Sequence, residues 1–410
     1  MPCKETCVEE ERFRFIERWR RQELSFAELC RAYGISRKTG YKWVERYEAG
    51  GLGALSNRSR APHRQAHMVV DEVVAAVLQV RQAHPHWGPL KLKILLEREA
   101  PEILWPAAST IGEILSRHGL TSERKRRRRA TPSARPLEHA VKPNDVWCAD
   151  FKGWFRTQDG QRCDPLTISD AHSRYLLRCQ AVGRPDYEHT RGEFEAAFRR
   201  YGLPDTMRTD NGSPFASIGL AGLSRLAVWW LRLGIWPERI QPGKPAENGR
   251  HERMHRTLKQ ATAQPAHSDL GEQQRAFDEF RREYNEDRPH EALGQQTPAA
   301  VYTPSSRDYT GKLLEPEYPD WWEVRRVRKD GSFCWCKQMR FLGEVLARET
   351  IGLEPIDDGL WRLWFVDYEL GTFDERDAKV RPVPRPPAQD RYSRPPGSLR
   401  GPERTLKQGR

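Results

Sequence analysis

Hydrophobic residues in the first 50 positions recur with the spacing of one helix face. In VEEERFRFIERWRRQ, Phe13, Ile16 and Trp19 have this spacing and predict a helix. The next segment, SFAELCRAYG, has Ser25 and Glu28 at capping-box spacing, and a third helical segment follows after a short turn. Two short helices joined by a tight turn are typical of a helix-turn-helix motif, although any three-helix bundle has a similar periodicity.

The second helix of a helix-turn-helix motif carries side chains into the major groove of DNA. The residues in this position are Arg37, Lys38, Thr39, Tyr41 and Lys42. The pattern therefore predicts a helix-turn-helix DNA-binding domain in residues 1–56. A second helical unit, residues 68–120, is also helix-turn-helix-like but has fewer base-reading side chains, so a structural or phosphate-contacting role is equally open for it.

Beyond residue 142 the pattern changes to apolar strands that alternate with helices. Strands and helices follow one another through residues 143–304, which predicts a mixed α/β sheet with helices on both faces. Residues 313–383 contain several short strands rich in Trp and Phe, with a hairpin signal at Asp330-Gly331, and predict a small β-barrel. Residues 384–410 are rich in Pro and Arg, and we predict that this basic tail is disordered.

The positive charge of the chain is concentrated in two segments. The net charge is +12, and residues 121–142 hold eight Arg or Lys against two acids, as do residues 381–410. The run ERKRRRRA in the first segment predicts a basic linker that contacts a polyanion through Arg126, Arg127, Arg128 and Arg129. A solvated linker without a partner is the alternative.

Composition also limits the class of protein. The 410 residues suffice for several domains, and no apolar run reaches the roughly 18 residues of a membrane span. The first residues do not resemble a signal peptide, so we expect a cytoplasmic, nucleoid-associated protein without a membrane partner. The eight cysteines include no Cys-x-x-Cys pair, and structural zinc is therefore not expected.

Two aspartates are candidate metal ligands in the α/β region. Asp150, in DVWCADFKGWF, shares one strand face with Val146 and Cys148, and burial of an acid there implies a cation beside it. Asp210 follows MRT and precedes Asn211-Gly212, a turn that leaves the carboxylate projecting, although a turn-forming role is equally open. Converging carboxylates suit two Mg²⁺ ions about 3.5–4 Å apart that catalyse phosphoryl transfer.

Two glutamates in QPGKPAENGRHERMHRTLKQ compete for a third ligand position. The pattern predicts a helix from about residue 249, so Glu252 lies in its first turn and Glu247 precedes it. Met254 and Leu258 point toward a core. Residues within roughly 60° of Glu252 around the helix are polar, namely His255, Arg256 and Lys259. Glu252 is therefore the predicted ligand, and a surface glutamate in an i,i+4 ion pair is the alternative.

The motifs around these three acids resemble those of the retroviral-integrase-like DDE transposases of bacterial insertion sequences. They are WCADFKG around Asp150, RTDNGSPF around Asp210 and PGKPAENGRHERMHRTLK around Glu252. The resemblance covers roughly residues 8–305 and is closest to the family named for insertion sequence 481, a relative of the insertion-sequence-3 group. The 41 residues between Asp210 and Glu252 exceed the usual spacing in many relatives, and the extra residues fit in SIGLAGLSR.

This resemblance implies a ribonuclease H-like catalytic core in residues 143–304, with Asp150, Asp210 and Glu252 as catalytic residues and metal ligands. It implies two Mg²⁺ ions, for which Mn²⁺ can substitute, and double-stranded DNA as the partner, both as element ends and as target. The implied reaction is end cleavage at terminal inverted repeats, followed by in-line attack of the 3′-hydroxyl on target DNA. No small-molecule substrate is implied. Further DNA contacts are expected at Lys244, His251, Arg256 and Lys259.

Joining two DNA ends in one complex implies a homo-oligomer assembled on DNA. Two other functions stay open from the sequence. One is a catalytically inactive DNA-binding regulator derived from a transposase, against which the presence of all three acids argues. The other is a structure-specific nuclease that lacks strand transfer.

Overall fold

A computed structural model describes residues 8–57, 69–121, 137–217, 219–240, 249–376 and 379–382. The chain divides into two compact units, Met1–Val70 and Asp71–Arg410. The predicted contacts at Arg126–Arg129 and Lys244, the competing Glu247 and the predicted disordered tail lie outside the described residues. No helix within the described ranges is long and apolar enough to cross a membrane.

The N-terminal unit is a group of three helices. α1 (Val8–Arg21), α2 (Phe26–Ala32) and α3 (Arg37–Gly50) are followed by a 3-10 turn at Leu52–Leu55. The predicted capping box is present at the start of α2, because the Ser25 hydroxyl accepts from the Glu28 N–H while the Glu28 carboxylate accepts from the Ser25 N–H. The tight turn before α3 passes through Gly34, whose φ of 62° suits glycine.

The buried face of α1 differs from the predicted one. Phe13 is 43% exposed, whereas Phe15 and Ile16 are buried. Phe15 takes the central position because its ring makes edge contacts with three aromatic rings on or beside α2 and α3, those of Phe26, Tyr33 and Trp43. The packing is close at Gly40 in α3, where a Cβ atom would lie 2.7 Å from the Cys30 sulfur. Glycine at this position therefore lets α3 approach α2.

A second helical group opens the larger unit. It consists of α4 (Asp71–Ala83), α5 (Pro89–Glu99) and α6 (Ala108–Arg117). Val77, Leu92 and Ile111, one from each helix, are fully buried. The group contacts the following α/β region directly: the His84 ring nitrogen lies 3.1 Å from the Glu283 carboxylate, and Lys91 Nζ donates to the Pro289 carbonyl at 2.6 Å.

The predicted mixed sheet is confirmed. Its six strands are β1 (Val146–Phe151), β2 (Phe155–Arg156), β3 (Arg162–Asp170), β4 (Leu176–Val182), β5 (Thr206–Thr209) and β6 (Trp236–Arg239). The order is β2-β3-β1-β5-β6, with β4 also paired to β3. β1 is antiparallel to β3 and parallel to β5, and β5 is parallel to β6. β1 is thus central to the sheet.

Helices cover both faces of this sheet, as predicted. α7 (Tyr187–Tyr201) and α8 (Arg225–Arg232) share an apolar cluster with Trp147 of β1. α9 (Gly249–Thr262) and α10 (Leu270–Arg282) form a different cluster with Leu176 and Cys179 of β4. A π-helical turn (Glu283–Asp287) extends α10, and the short helix α11 (Pro298–Val301) follows. α9 therefore lies on the face of β1 opposite Trp147.

The C-terminal region contains a β-sheet, as its strand pattern predicted, but the predicted barrel is not confirmed. Its strands are β7 (Glu323–Arg326), β8 (Ser332–Trp335), β9 (Gln338–Phe341), β10 (Thr350–Asp357), β11 (Leu360–Phe365), β12 (Tyr368–Asp374) and β13 (Val380–Pro382). Five of them pair in the order β13-β12-β11-β10-β7, and β8 pairs with β9 separately. No pairing between described strands closes this sheet on itself, so the barrel is not confirmed.

The C-terminal sheet shares its hydrophobic core with the first sheet. Phe365 and Phe373 belong to the same buried cluster as Trp147 and the apolar residues of α7 and α8. The rings of Trp236 in β6 and Tyr368 in β12 lie 5.3 Å apart between centroids. This continuity explains why the two sheets form part of one compact unit.

Candidate active site

Asp150 and Asp210 occupy corresponding positions on neighbouring parallel strands. The register of β1 and β5 pairs Cys148 with Arg208 and Ala149 with Thr209. Asp150 is the next residue of β1, and Asp210 follows the last residue of β5. Adjacent strands lie about 4.8 Å apart, so the sheet brings the backbones of the two acids side by side.

Asp210 has the turn geometry that its sequence predicts. Its Oδ1 accepts the N–H of Gly212 at 3.1 Å, and partial burial raises the pKa of the carboxyl group above its ordinary value. Within the described residues it forms no ion pair with a basic side chain. A carboxylate in this environment favours a bound cation, since a positive charge offsets the cost of its desolvation.

A cluster of polar side chains joins α9 to the strand beside Asp150. Thr167 of β3 is the register partner of Asp150, and its hydroxyl lies 3.2 Å from the Asp150 carbonyl oxygen. The same hydroxyl oxygen lies 2.8 Å from Nε2 of His251 and 2.6 Å from Nε2 of His255. A hydroxyl group has one hydrogen and two lone pairs, so donation to Asp150 and acceptance from both imidazoles satisfies it completely.

Both histidines are neutral in this environment. Burial lowers the pKa of His251 to about 4, and burial together with the charges of His251 and Lys152 lowers the pKa of His255 to about 2. Nδ1 of His255 lies 3.9 Å from Oδ2 of Asp150, which is too long for a hydrogen bond. The histidines therefore position α9 over Asp150 without neutralising its carboxylate.

Glu252 lies on the solvent side of α9, in its first turn. It is exposed together with Arg256 and Lys259, whereas Met254 and Leu258 are buried as predicted. His255 was expected on the same polar stripe, but it is 3% exposed and faces Thr167. His251, a predicted DNA contact, is likewise buried at 4% exposure.

A three-ligand metal site is not assembled in the described residues. No group of three His, Cys, Asp or Glu side chains there lies close enough together to hold a metal ion. Two carboxylates lie on adjacent strands, and Glu252 is carried by α9, which the Thr167 cluster joins to β3 beside Asp150. The donor types are those that a hard divalent cation prefers.

The chain matches models of known domains over both helical groups and the catalytic sheet. Two models described as integrase core domain match residues 140–245 and 233–298, and they include the strands and the helix that carry Asp150, Asp210 and Glu252. A helix-turn-helix domain model matches residues 11–63, and a homeodomain-like domain model matches residues 39–115.

Two relatives come from insertion elements. The chain is 28% identical over 233 residues to the IS407 uncharacterized 31.7 kDa protein of Burkholderia multivorans, covering 56% of this chain and 80% of the relative. It is 25% identical over 251 residues to the IS476 uncharacterized 39.2 kDa protein of Xanthomonas euvesicatoria, covering 60% and 69%. These matches support an insertion-element DDE transposase with an integrase-like core. Its enzyme class is that of DDE polynucleotidyl transferases.

Solved structures similar to this transposase include the catalytic core domain of HTLV-2 integrase in complex with magnesium. The identity is 16%, the match covers 40% of this chain and 99% of that one, and the TM-score is 0.32.

The predicted base-reading residues of the transposase lie at the start of α3. Arg37, Lys38, Tyr41 and Lys42 are exposed. The Thr39 hydroxyl lies 2.9 Å from the Ser36 hydroxyl, which caps the helix. The Tyr41 ring stacks on Phe26, with centroids 4.2 Å apart. The motif thus presents three basic side chains to solvent from one helix end.

Sequence reasoning missed the positioning function of Thr167, His251 and His255. The signal was the i,i+4 spacing of the two histidines, which places both on one helix face. Their partner could not be identified from the sequence, because Thr167 is 84 residues from His251 and 88 from His255, and it meets them only where α9 packs on the sheet.

Proposed function

We propose that this transposase binds the terminal inverted repeats of its element, cleaves the element ends and joins each 3′-hydroxyl to target DNA. The observation that carries the proposal is the parallel register that brings Asp150 and Asp210 side by side in an integrase core domain. Glu252 completes the acidic triad from the first turn of α9.

The three carboxylates are the residues that would hold divalent ions. Two Mg²⁺ ions, or Mn²⁺ in their place, would supply activation of the attacking oxygen and stabilisation of the leaving oxygen. The Thr167 hydroxyl donates to the Asp150 carbonyl oxygen and so holds the backbone of Asp150 in place, and His251 and His255 beside it are neutral. The Glu252 side chain is exposed, so it can reorient toward bound ions without leaving a packed core.

DNA is the proposed partner of both units. Arg37, Lys38 and Lys42 at the start of α3 are placed to contact a major groove, and Arg256 and Lys259 share the exposed face of α9 with Glu252. Arg126–Arg129 in the basic linker would add phosphate contacts, and Lys244 before α9 would add another. Since two element ends are joined in one reaction, we include a homo-oligomer assembled on DNA in the proposal.

A strand-transfer assay with duplexes carrying the element end tests this function. Glu252→Gln removes the charge of the ligand while it preserves the size of the side chain, so we expect strand transfer to fall below detection with DNA binding intact. Glu247→Gln is the matched control and should retain most activity. Loss of activity in Glu247→Gln but not in Glu252→Gln would contradict the ligand assignment. DNA binding by the unaltered protein without any Mg²⁺-dependent nicking would contradict catalysis itself.

A further inference from the structure

Five basic side chains gather where the second helical group meets the α/β core. We call this group the cationic cleft: Lys91, Arg174, Arg250, Arg253 and Arg288. Lys91 lies on α5, Arg174 in the turn between β3 and β4, Arg250 and Arg253 in the first turn of α9, and Arg288 just after the π-helical turn. Arg174 and Arg250 line a cavity together with Tyr284 and Cys148.

Three arginines of the cationic cleft, Arg174, Arg250 and Arg253, form no ion pair with a carboxylate in the described part of the chain. Arg250 donates only to the Ala171 carbonyl at 3.5 Å, and Arg253 only to the Gly249 carbonyl at 3.2 Å. No side-chain hydrogen bond or ion pair of Arg174 is formed there. Three cations are thus held near one another without local neutralisation.

The acidic residues near this cavity form hydrogen bonds or ion pairs with other groups. The Asp170 carboxylate accepts the N–H groups of Asn144 and Ser173 as well as the Ser173 hydroxyl. Glu238 pairs with Arg208 at 2.6 Å and with His139 at 2.9 Å. At the other end of the cleft, Glu283 pairs with His84 and its charge also acts on Arg288, while the charge of Glu291 acts on Lys91.

The pKa values of two basic residues in the cleft are lowered, which agrees with this arrangement. Burial, and then the charge of Arg288, lower the pKa of Lys91 to about 7. Burial and the charge of Arg250 lower the pKa of Arg174 to about 10. The charges of Lys91, Arg288 and Arg174 all contribute to lowering the pKa of the His290 ring. Desolvated like charges are unfavourable unless an anion joins them.

The cleft is built from ordered contacts. The Asn285 side chain within the π-helical turn accepts the Leu176 N–H at 2.8 Å and donates to the Leu176 carbonyl at 3.0 Å. These bonds hold the turn, and Arg288 after it, against the start of β4. Arg174 adopts a φ of 65°, a left-handed conformation unfavourable for a long side chain. Strained residues and π-helical turns are enriched at functional sites.

We propose that the cationic cleft binds the phosphodiester backbone of double-stranded DNA beside the active site. Cys148, which lines the cavity, is two residues before Asp150 on the same face of β1, a separation of roughly 7 Å along the strand. Duplex DNA is the favoured anion because the cavity that Arg174 and Arg250 line lies beside β1 of an integrase core domain. The proposal rests on the proposed function for the identity of its ligand, although its test does not require catalysis.

The test measures duplex binding by the full-length protein at several salt concentrations, with EDTA present to prevent cleavage. Arg174→Gln and Arg250→Gln should each weaken binding of the element end and of an unrelated duplex to the same extent. The slope of log K against log salt is negative, and it should become shallower by about 0.9 for each phosphate that the variant no longer neutralises. Arg117→Gln is the matched control, because Arg117 is exposed and paired with Glu113 on α6.

Thermal melting without DNA separates a binding defect from misfolding. Removal of one of several crowded cations should leave the melting temperature unchanged or raise it at low salt. Wild-type affinity and salt slope in both folded variants would overturn the proposal. A second result would also overturn it. Inorganic sulfate would raise the melting temperature of the wild-type protein but not of the variants, while the variants kept the wild-type slope of log K against log salt for DNA. The cleft would then be a site for a small anion. Absence of strand transfer in every protein, with the slope change present, would reject the proposed function and leave the cleft assignment standing.

Discussion

The Thr167 hydroxyl lies 2.6 Å from Nε2 of His255, and this contact joins α9 to the strand beside Asp150. His251 makes the equivalent contact with the same oxygen at 2.8 Å. One hydroxyl thereby fixes the helix that carries Glu252 relative to the sheet that carries the two aspartates. The integrase core domain of this chain depends on a neutral, fully satisfied hydrogen-bond cluster for the position of its third acid.

Thr167→Val tests that cluster. The substitution preserves the shape of the side chain but leaves the Nε2–H groups of His251 and His255 without an acceptor, so we expect a loss of about 2–4 kcal/mol in the free energy of unfolding. Urea unfolding measures this loss, and strand transfer should decrease at the same time. Thr257→Val, on the outer part of α9, should change stability by less than about 0.5 kcal/mol. Equal stability of the two variants would show that the cluster does not hold α9.

Glu238→Gln tests the buried ion pair between β5 and β6. An Arg208 guanidinium nitrogen lies 2.6 Å from a Glu238 carboxylate oxygen, and the two side chains are 7% and 9% exposed, so the substitution removes the charge of a buried partner of Arg208. We expect the free energy of unfolding to fall by about 3 kcal/mol or more. Glu113→Gln breaks an exposed pair on α6 and should cost less than about 1 kcal/mol. Chemical denaturation measures the free energy of unfolding of both variants. A similar small loss in each would mean that Arg208 is neutralised by other groups.

The buried His290 predicts a loss of stability in acid. Burial, followed by the charges of Lys91 and Arg288, lowers its pKa to about 3, whereas an unfolded histidine titrates near pH 6.5. Between these values the unfolded chain binds more protons than the folded one, so the free energy of unfolding decreases as pH falls below about 6.5. Thermal unfolding at pH 7.5 and 5.5 should show a smaller decrease for His290→Gln than for the wild-type protein.

The exposed His86 provides the control for this pH effect. His86→Gln should keep the wild-type difference between the two pH values. A wild-type pH dependence in His290→Gln would mean that other groups cause the acid sensitivity.

Phe373→Ala tests whether the C-terminal sheet and the catalytic sheet unfold together. Phe373 is fully buried, packs on Phe333 and Trp335, and belongs to the cluster that includes Trp147. We expect a cost of about 3–5 kcal/mol and a downward shift of one common transition that includes both sheets. Scanning calorimetry measures this, and Phe341→Ala, at a 66% exposed position of β9, is the control. A separate early transition for the C-terminal sheet would show that it is an independent domain.

Local sequence determined those features that depend on nearby residues. The Ser25–Glu28 capping box, the buried Met254 and Leu258 and the alternation of strand faces around Asp150 follow from spacing along one element. The motifs around the three acids are also local, and they were sufficient to indicate the transposase family. These features were predictable because a helix or a strand repeats with a constant period, so the positions that share a face can be counted.

Tertiary structure alone decided which elements meet. The register that sets Asp150 beside Asp210 joins positions 60 apart, and the open C-terminal sheet shares a core with α7 and α8 although its pattern predicted a separate barrel. His251 and His255 turned inward because Thr167 offered a buried acceptor, and the basic residues of the cationic cleft came together from four separate segments. Contacts of this kind depend on how complete elements pack in three dimensions, and no local period encodes that packing.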